Sequence, residues 1–111
     1  MQKNFRLTKS SDFADIRRNG KRWSNSDLIL IVRHTDLEVS TTPRFGLVVS
    51  KKVGNAVIRN KCKRRMREAT RHLNIKGGND LVFIARSSIA SKTHSEITKS
   101  MSELLSRAKI I

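Results

Sequence analysis

Residues 44–86 read RFGLVVSKKVGNAVIRNKCKRRMREATRHLNIKGGNDLVFIAR, and the fold turns on whether the middle of that stretch is a helix. Its ends, RFGLVVS at 44–50 and LVFIAR at 81–86, are short apolar runs rich in β-branched residues, which predicts strands. Between them, at about 100° per residue, Ile58, Cys62, Met66, Ala69 and Leu73 fall within an arc of about 80°, the apolar stripe of a helix packed on a core. Arg59, Lys63, Arg67 and Arg71 form an i, i+4 row beside the stripe, and Lys61, Arg64 and Arg65 fill most of the remaining circumference. Gly54 can take a positive φ ahead of the helix, Asn55 can cap its first turn, and Asn74 with Gly77 and Gly78 ends it. Strand, helix and strand follow in direct succession, a βαβ-like pattern.

The flanks extend the same architecture. Thr8 is placed to cap a first short helix that carries Phe13 and Ile16 on one side and stops before Gly20. LILIVRH at 28–34 is too short for an ordinary helix and reads as a strand, followed by the polar loop TDLEVSTTP ending at Pro43. Near the other end, Thr93 and Glu96 form a capping box, and Ile97, Met101, Leu104, Leu105 and Ala108 supply a buried face for a last helix. The whole predicts one α+β domain over residues 1–111, a central sheet with helices against it and the basic helix showing its charged side to solvent.

Charge narrows the function. The chain carries 24 Lys and Arg against 9 Asp and Glu, a formal net charge of +15, and nine of the cations lie within residues 51–71 beside a single acid, Glu68. Such an excess repels itself unless a polyanion neutralises it, which makes nucleic acid the first candidate partner and an anionic membrane the second. No membrane span is expected, since the longest apolar run is LILIV, and the N-terminal MQKNFRLTKSSDF has no apolar core of a secretory signal. One cysteine, Cys62, allows no internal disulfide, and it falls on the apolar stripe as a small buried hydrophobe. A cytoplasmic location is therefore expected. His34, His72 and His94 show no ligand spacing, Phe45 and Trp23 read as packing residues, and no metal site is expected within the protein.

At its centre the sequence resembles the protein subunit of bacterial ribonuclease P. The resemblance is carried by Ser50-Lys51-Lys52-Val53-Gly54-Asn55-Ala56-Val57 and then Arg59-Asn60-Lys61-Cys62-Lys63-Arg64-Arg65-Met66-Arg67-Glu68-Ala69, which matches the family's Arg-Asn-Arg box. It extends to Asp12-Phe13, to the strand at 44–50 and to Asp80-Leu81-Val82-Phe83-Ile84-Ala85-Arg86, nearly the whole chain. The resemblance implies an α-β sandwich with a mostly antiparallel sheet. It also implies a left-handed β-α-β crossover containing the basic helix, where pattern alone favours the right-handed form. It further implies an accessory subunit of an endoribonuclease that removes the 5′ leader of precursor tRNA. In that family a catalytic RNA, paired 1:1 with the protein, carries the active site and most of the Mg²⁺, and the protein lowers the Mg²⁺ requirement. Carried over by position, Lys51, Lys52, Arg59, Asn60, Lys61, Lys63, Arg64 and Arg67 face the catalytic RNA, and Phe13, Arg17 and Arg44 bind the single-stranded leader. Catalytic residues in the protein itself are not expected.

Three positions depart from the family pattern. Lys61 replaces the second Arg of the box and loses a bidentate fork, Arg17 stands where many relatives place a second aromatic, and Ile31 stands where others place Tyr. Leader binding is thus expected to lean on charge more than on stacking. Two other classes stay open on the residues alone. A nuclease with its own metal would want clustered carboxylates, yet Asp12, Asp15, Asp27, Asp36, Glu38, Glu68, Asp80, Glu96 and Glu103 are scattered. A small ribosomal or RNA-chaperone protein fits size and charge equally well, whereas a helix-turn-helix DNA binder lacks the preceding helix and short turn.

Overall fold

The computed structural model describes residues 10–34, 44–75 and 78–111, and the side chains of all of these except 10–13. In chain order the elements are helix α1 (Ser10–Asn19), strands β1 (Lys21–Ser24), β2 (Leu28–His34) and β3 (Arg44–Val48), and helix α2 (Ala56–His72). Strand β4 (Asn79–Ala85), a 3-10 helix (Ser87–Ser91) and helix α3 (His94–Arg107) complete the chain. The expected cap at Thr8, the loop at 35–43 and the stop at Gly77 lie outside the described residues.

The strands form one mixed sheet in the order β1-β2-β4-β3. β2 runs antiparallel to both β1 and β4, with Leu30 opposite Trp23 on one side and Phe83 on the other. β3 and β4 are parallel, Phe45 opposite Leu81, so α2 is the crossover between adjacent strands.

Alternation along the strands sorts side chains to two faces. Leu28, Leu30, Val32, Phe45, Leu81 and Phe83 point to the larger core, where Cys62, Met66 and Ala69 of α2 meet Ile97, Met101, Leu104 and Leu105 of α3. On the opposite face Ile16 of α1 sits over Ile31 and Val82, with Ile29, Val48 and Ile84 only partly covered around them. The chain is therefore an α-β sandwich with two helices on one face of the sheet and one on the other.

β1 is the element that sequence reading did not anticipate. Only Trp23 of its four residues packs on the core, and the others are exposed, so no apolar period marks it. Its hairpin is set by Asn25, whose Oδ1 accepts the backbone N–H groups of Asp27 at 3.0 Å and Leu28 at 2.9 Å. The Asn25 amide donates onward to Ser100 on α3, and the buried carboxylate of Asp27 accepts from Ser100 and Ser88 at 2.9 Å each. That polar knot ties the hairpin to the far helix.

α2 begins as expected, with the Asn55 side chain accepting the Ile58 N–H at 3.0 Å. Its stripe is shifted, however: Thr70 joins Cys62, Met66 and Ala69 in the interior, while Ile58 is exposed. Ile58 lies instead over Gly54, where an added Cβ would come within 2.9 Å of its Cγ2. At the other end of the chain the Thr93–Glu96 capping box forms in both directions, and those hydrogen bonds hold the Glu96 carboxyl below its usual range.

Gly20 closes α1 against the sheet, donating its N–H to the Ile16 carbonyl at 2.8 Å. A Cβ there would lie 2.5 Å from Ile31 Cγ2 and 2.6 Å from the Ile16 carbonyl oxygen, and backbone cannot yield as a side-chain tip can. Gly20→Ala is expected to cost about 1–3 kcal/mol through overpacking, read from the urea midpoint. A variant as stable as the parent would show that α1 can lift off the sheet without penalty.

Candidate nucleic-acid interface

The exposed side of α2 follows from how its buried side is held. The apolar stripe fixes the helix on the core, and Arg65 adds a polar staple, its Nη1 donating to the Lys92 carbonyl at 2.7 Å just before α3. Arg65 therefore leaves the outward-facing basic surface, to which its spacing had assigned it. Glu68 is turned the same way, its Oε2 lying 3.6 Å from His94 Nε2, and His94 meets His72 edge-on with ring centroids 6.4 Å apart. The only acid of the basic segment thus faces α3 rather than the arginines.

What remains outward is almost wholly cationic. Asn60, Lys61, Arg64 and Arg71 are exposed and Lys63 is half-buried. Among the described residues no carboxylate pairs with Lys61, Lys63, Arg64 or Arg71. Arg59 sits at the margin of the stripe, its Nε shielded from solvent without a hydrogen-bond partner. Lys51 and Lys52 are exposed ahead of the helix, and no acid occupies its first turn to offset the positive end of the macrodipole. Cys62 lies beneath this surface; burial pushes its thiol up, against the pull of Arg65 and Lys61, so it stays protonated and unreactive.

The three expected leader residues belong to the other face. Arg17 is exposed on α1, whereas the Phe13 side chain lies outside the described residues. Arg44 grips Asp80 with two hydrogen bonds, Nε to Oδ1 at 2.8 Å and Nη2 to Oδ2 at 2.7 Å. Arg33 of β2 donates to the same Asp80 and to Asp15 of α1, so one chain of ion pairs links β3, β4, β2 and α1. On this face of the sheet Ile29 and Ile84 floor a depression of about 460 Å³ ringed by Ser26, Lys52, Arg86 and Ser88. Arg86 and Ser88 were not singled out as site residues, because only the strand pairing brings them beside Ile29 and Lys52. Among the described residues no group of three or more His, Cys, Asp or Glu is arranged to hold a metal ion. No helix there is long and apolar enough to cross a membrane.

Fold and surface together define a class: a small α+β sandwich that presents cations from a crossover helix on one face and an open groove on the other. Over residues 1–109 the chain matches the Ribonuclease P family, and it belongs to that family. It is 46% identical over 110 residues to the ribonuclease P protein component of Clostridium novyi, covering 97% of this chain and 96% of the relative. It is 40% identical to that of Alkaliphilus metalliredigens, covering 100% and 99%. The solved RNase P protein of Staphylococcus aureus superposes with a TM-score of 0.84 at 33% identity, covering 96% of each chain. That of Thermotoga maritima gives 0.81 at 30% identity, covering 92% of this chain and 96% of the other. The family is that of a bacterial endoribonuclease subunit that acts in tRNA 5′ processing as part of a ribonucleoprotein with the ribonuclease P RNA.

Asp80 supplies a prediction for the groove side. Its residue is 1% exposed, and burial pushes the carboxyl up, yet hydrogen bonds and charge from Arg44 and Arg33 prevail and hold it below the usual carboxylate range. A depressed folded value means the stabilisation is complete above the unfolded value of about 3.9 and is lost as pH falls through the folded one. Asp80→Asn is expected to cost about 2–3 kcal/mol at neutral pH, below the fully buried case because Arg33 and Arg44 keep 21% and 39% of their side chains in solvent. The variant's stability should also fall less steeply in acid, a difference read from urea midpoints between about pH 5 and 2.

Proposed function

We propose that this chain is the RNA-binding subunit of a ribonuclease P holoenzyme, using α2 to dock on the catalytic RNA and the α1 face of the sheet to receive the 5′ leader of precursor tRNA. The observation that carries this reading is the outer surface of α2, with Lys61, Lys63, Arg64 and Arg71 unpaired by any described carboxylate on a helix fixed by its buried stripe. Fixed cations of this density bind phosphate by releasing condensed counterions, and Arg adds bidentate contacts suited to folded RNA. Lys51, Arg59, Asn60 and Arg67 extend the same surface, and Lys52 stands between it and the depression on the other face.

On the other face, the partly covered Ile29, Val48 and Ile84 give bases an apolar floor, with Lys52 and Arg86 at its rim to meet phosphates. Phe13 and Arg17 of α1 flank the leader in this reading, and Arg44 contributes from its pairing with Asp80. Mg²⁺ stays with the RNA in this reading, and among the described residues no cluster of carboxylates is arranged to hold it. The protein lowers the Mg²⁺ requirement by supplying cations of its own where RNA phosphates crowd. One protein per RNA, in the cytoplasm, completes the reading.

Cleavage of a 5′-extended precursor tRNA by a bacterial ribonuclease P RNA at limiting Mg²⁺ tests it. Only the mixture with this protein should cleave efficiently, the protein alone should not, and Arg59→Ala with Lys63→Ala should remove the gain. Binding to the RNA should weaken by roughly a thousandfold or more between about 50 and 200 mM salt if six or more phosphates are contacted. Salt-sensitive binding with no effect on cleavage would instead mark a general RNA-binding module.

A further inference from the structure

Charge does not account for Val57. It is 76% exposed, the most solvent-open large apolar residue among those described. At about 100° per residue it stands almost opposite the buried stripe and shares a ridge of about 80° with Lys61, Arg64 and Arg71. It belongs to neither core cluster of the described residues. Its neighbour Ile58 lies over Gly54, and the first turn is already secured by the Asn55 side chain. A β-branched residue also supports a helix less well than Ala would, so helix stability does not explain it.

Whatever covers Lys61 and Arg64 must also cover Val57. A duplex backbone would set phosphates against it and leave the side chain unmatched, whereas an unstacked base offers a flat apolar face flanked by its own phosphates. We propose that Val57 is an apolar docking contact for a splayed nucleobase of the RNA partner, with Lys61 and Arg64 holding the phosphates on either side. The proposal rests on the reading that α2 faces the catalytic RNA and adds to it a contact that is specific for single-stranded or bulged structure and insensitive to salt.

The test is a salt titration of binding to a bacterial ribonuclease P RNA with the parent protein, Val57→Ser, Val57→Leu and Arg64→Ala. Val57→Ser should weaken binding about tenfold at every salt concentration without changing the slope of log K against log salt, the ratio that burial of one Val side chain implies. Val57→Leu should bind as the parent does, and Arg64→Ala should weaken binding and reduce the slope by about one. A fully paired RNA duplex should not distinguish Val57→Ser from the parent. Because Val57 is exposed, the urea midpoint of Val57→Ser should match the parent and exclude misfolding. If Val57→Ser binds normally while Arg64→Ala behaves as stated, the apolar contact is wrong and the α2 interface stands. If Arg64→Ala is also silent, both fall, and a changed slope in Val57→Ser overturns the contact as an apolar one.

Discussion

Parallel pairing of β3 with β4 is the constraint on which the molecule is organised. Antiparallel neighbours can be joined by a tight turn, but parallel neighbours require the chain to travel back across the face of the sheet. α2 is that return path. A helix compelled to cross the sheet must bury one side, and Cys62, Met66, Ala69 and Thr70 supply it. The remaining circumference is then fixed in direction, and whatever side chains it holds are displayed as a rigid array. High TM-scores over nearly the full length mean that the crossover follows the same path in the solved S. aureus and T. maritima proteins.

That display carries an internal cost. Like charges at i, i+4 weaken an isolated helix by a few tenths of a kcal/mol per pair, and the N-terminal macrodipole adds to the strain when Lys51, Lys52 and Arg59 stand near it. Several local contacts offset it: the Asn55 cap, the Arg65 staple to the Lys92 carbonyl, and the packing of the stripe on α3. On the opposite face the same principle works at smaller scale. Arg33 and Arg44 are brought close together only because the Asp80 carboxylate lies between them, and Arg33 uses its second edge to hold α1 through Asp15.

Strong periodic signals in the sequence fared well. The strand at Leu28–His34, the helix with its Asn55 cap and the Thr93–Glu96 box appear where the residues indicate, because each is decided by contacts within a few positions. β1 was not legible, since an edge strand of four residues with one packing side chain leaves no periodicity to read. Ile58 and Arg65 were assigned to the wrong sides of α2 for a related reason. Helical phase gives an angle, but the width of the buried arc depends on what α3 and the Gly54 turn place beside it, and Thr70 widened it on the far flank. The basic box was visible as a run of residues, whereas the depression joining Lys52 and Arg86 exists only once β2, β3 and β4 are in register.

Cys62 has a chemical consequence of another kind. Its thiol is the only one in the chain, it is buried beneath the helix, and it stays protonated. Towards alkylating reagents, oxidants and disulfide exchange the folded protein behaves as though it had no cysteine. A second cysteine placed on the surface would be the sole accessible thiol, so a fluorophore or cross-linker could be attached at one chosen point while the native residue is kept.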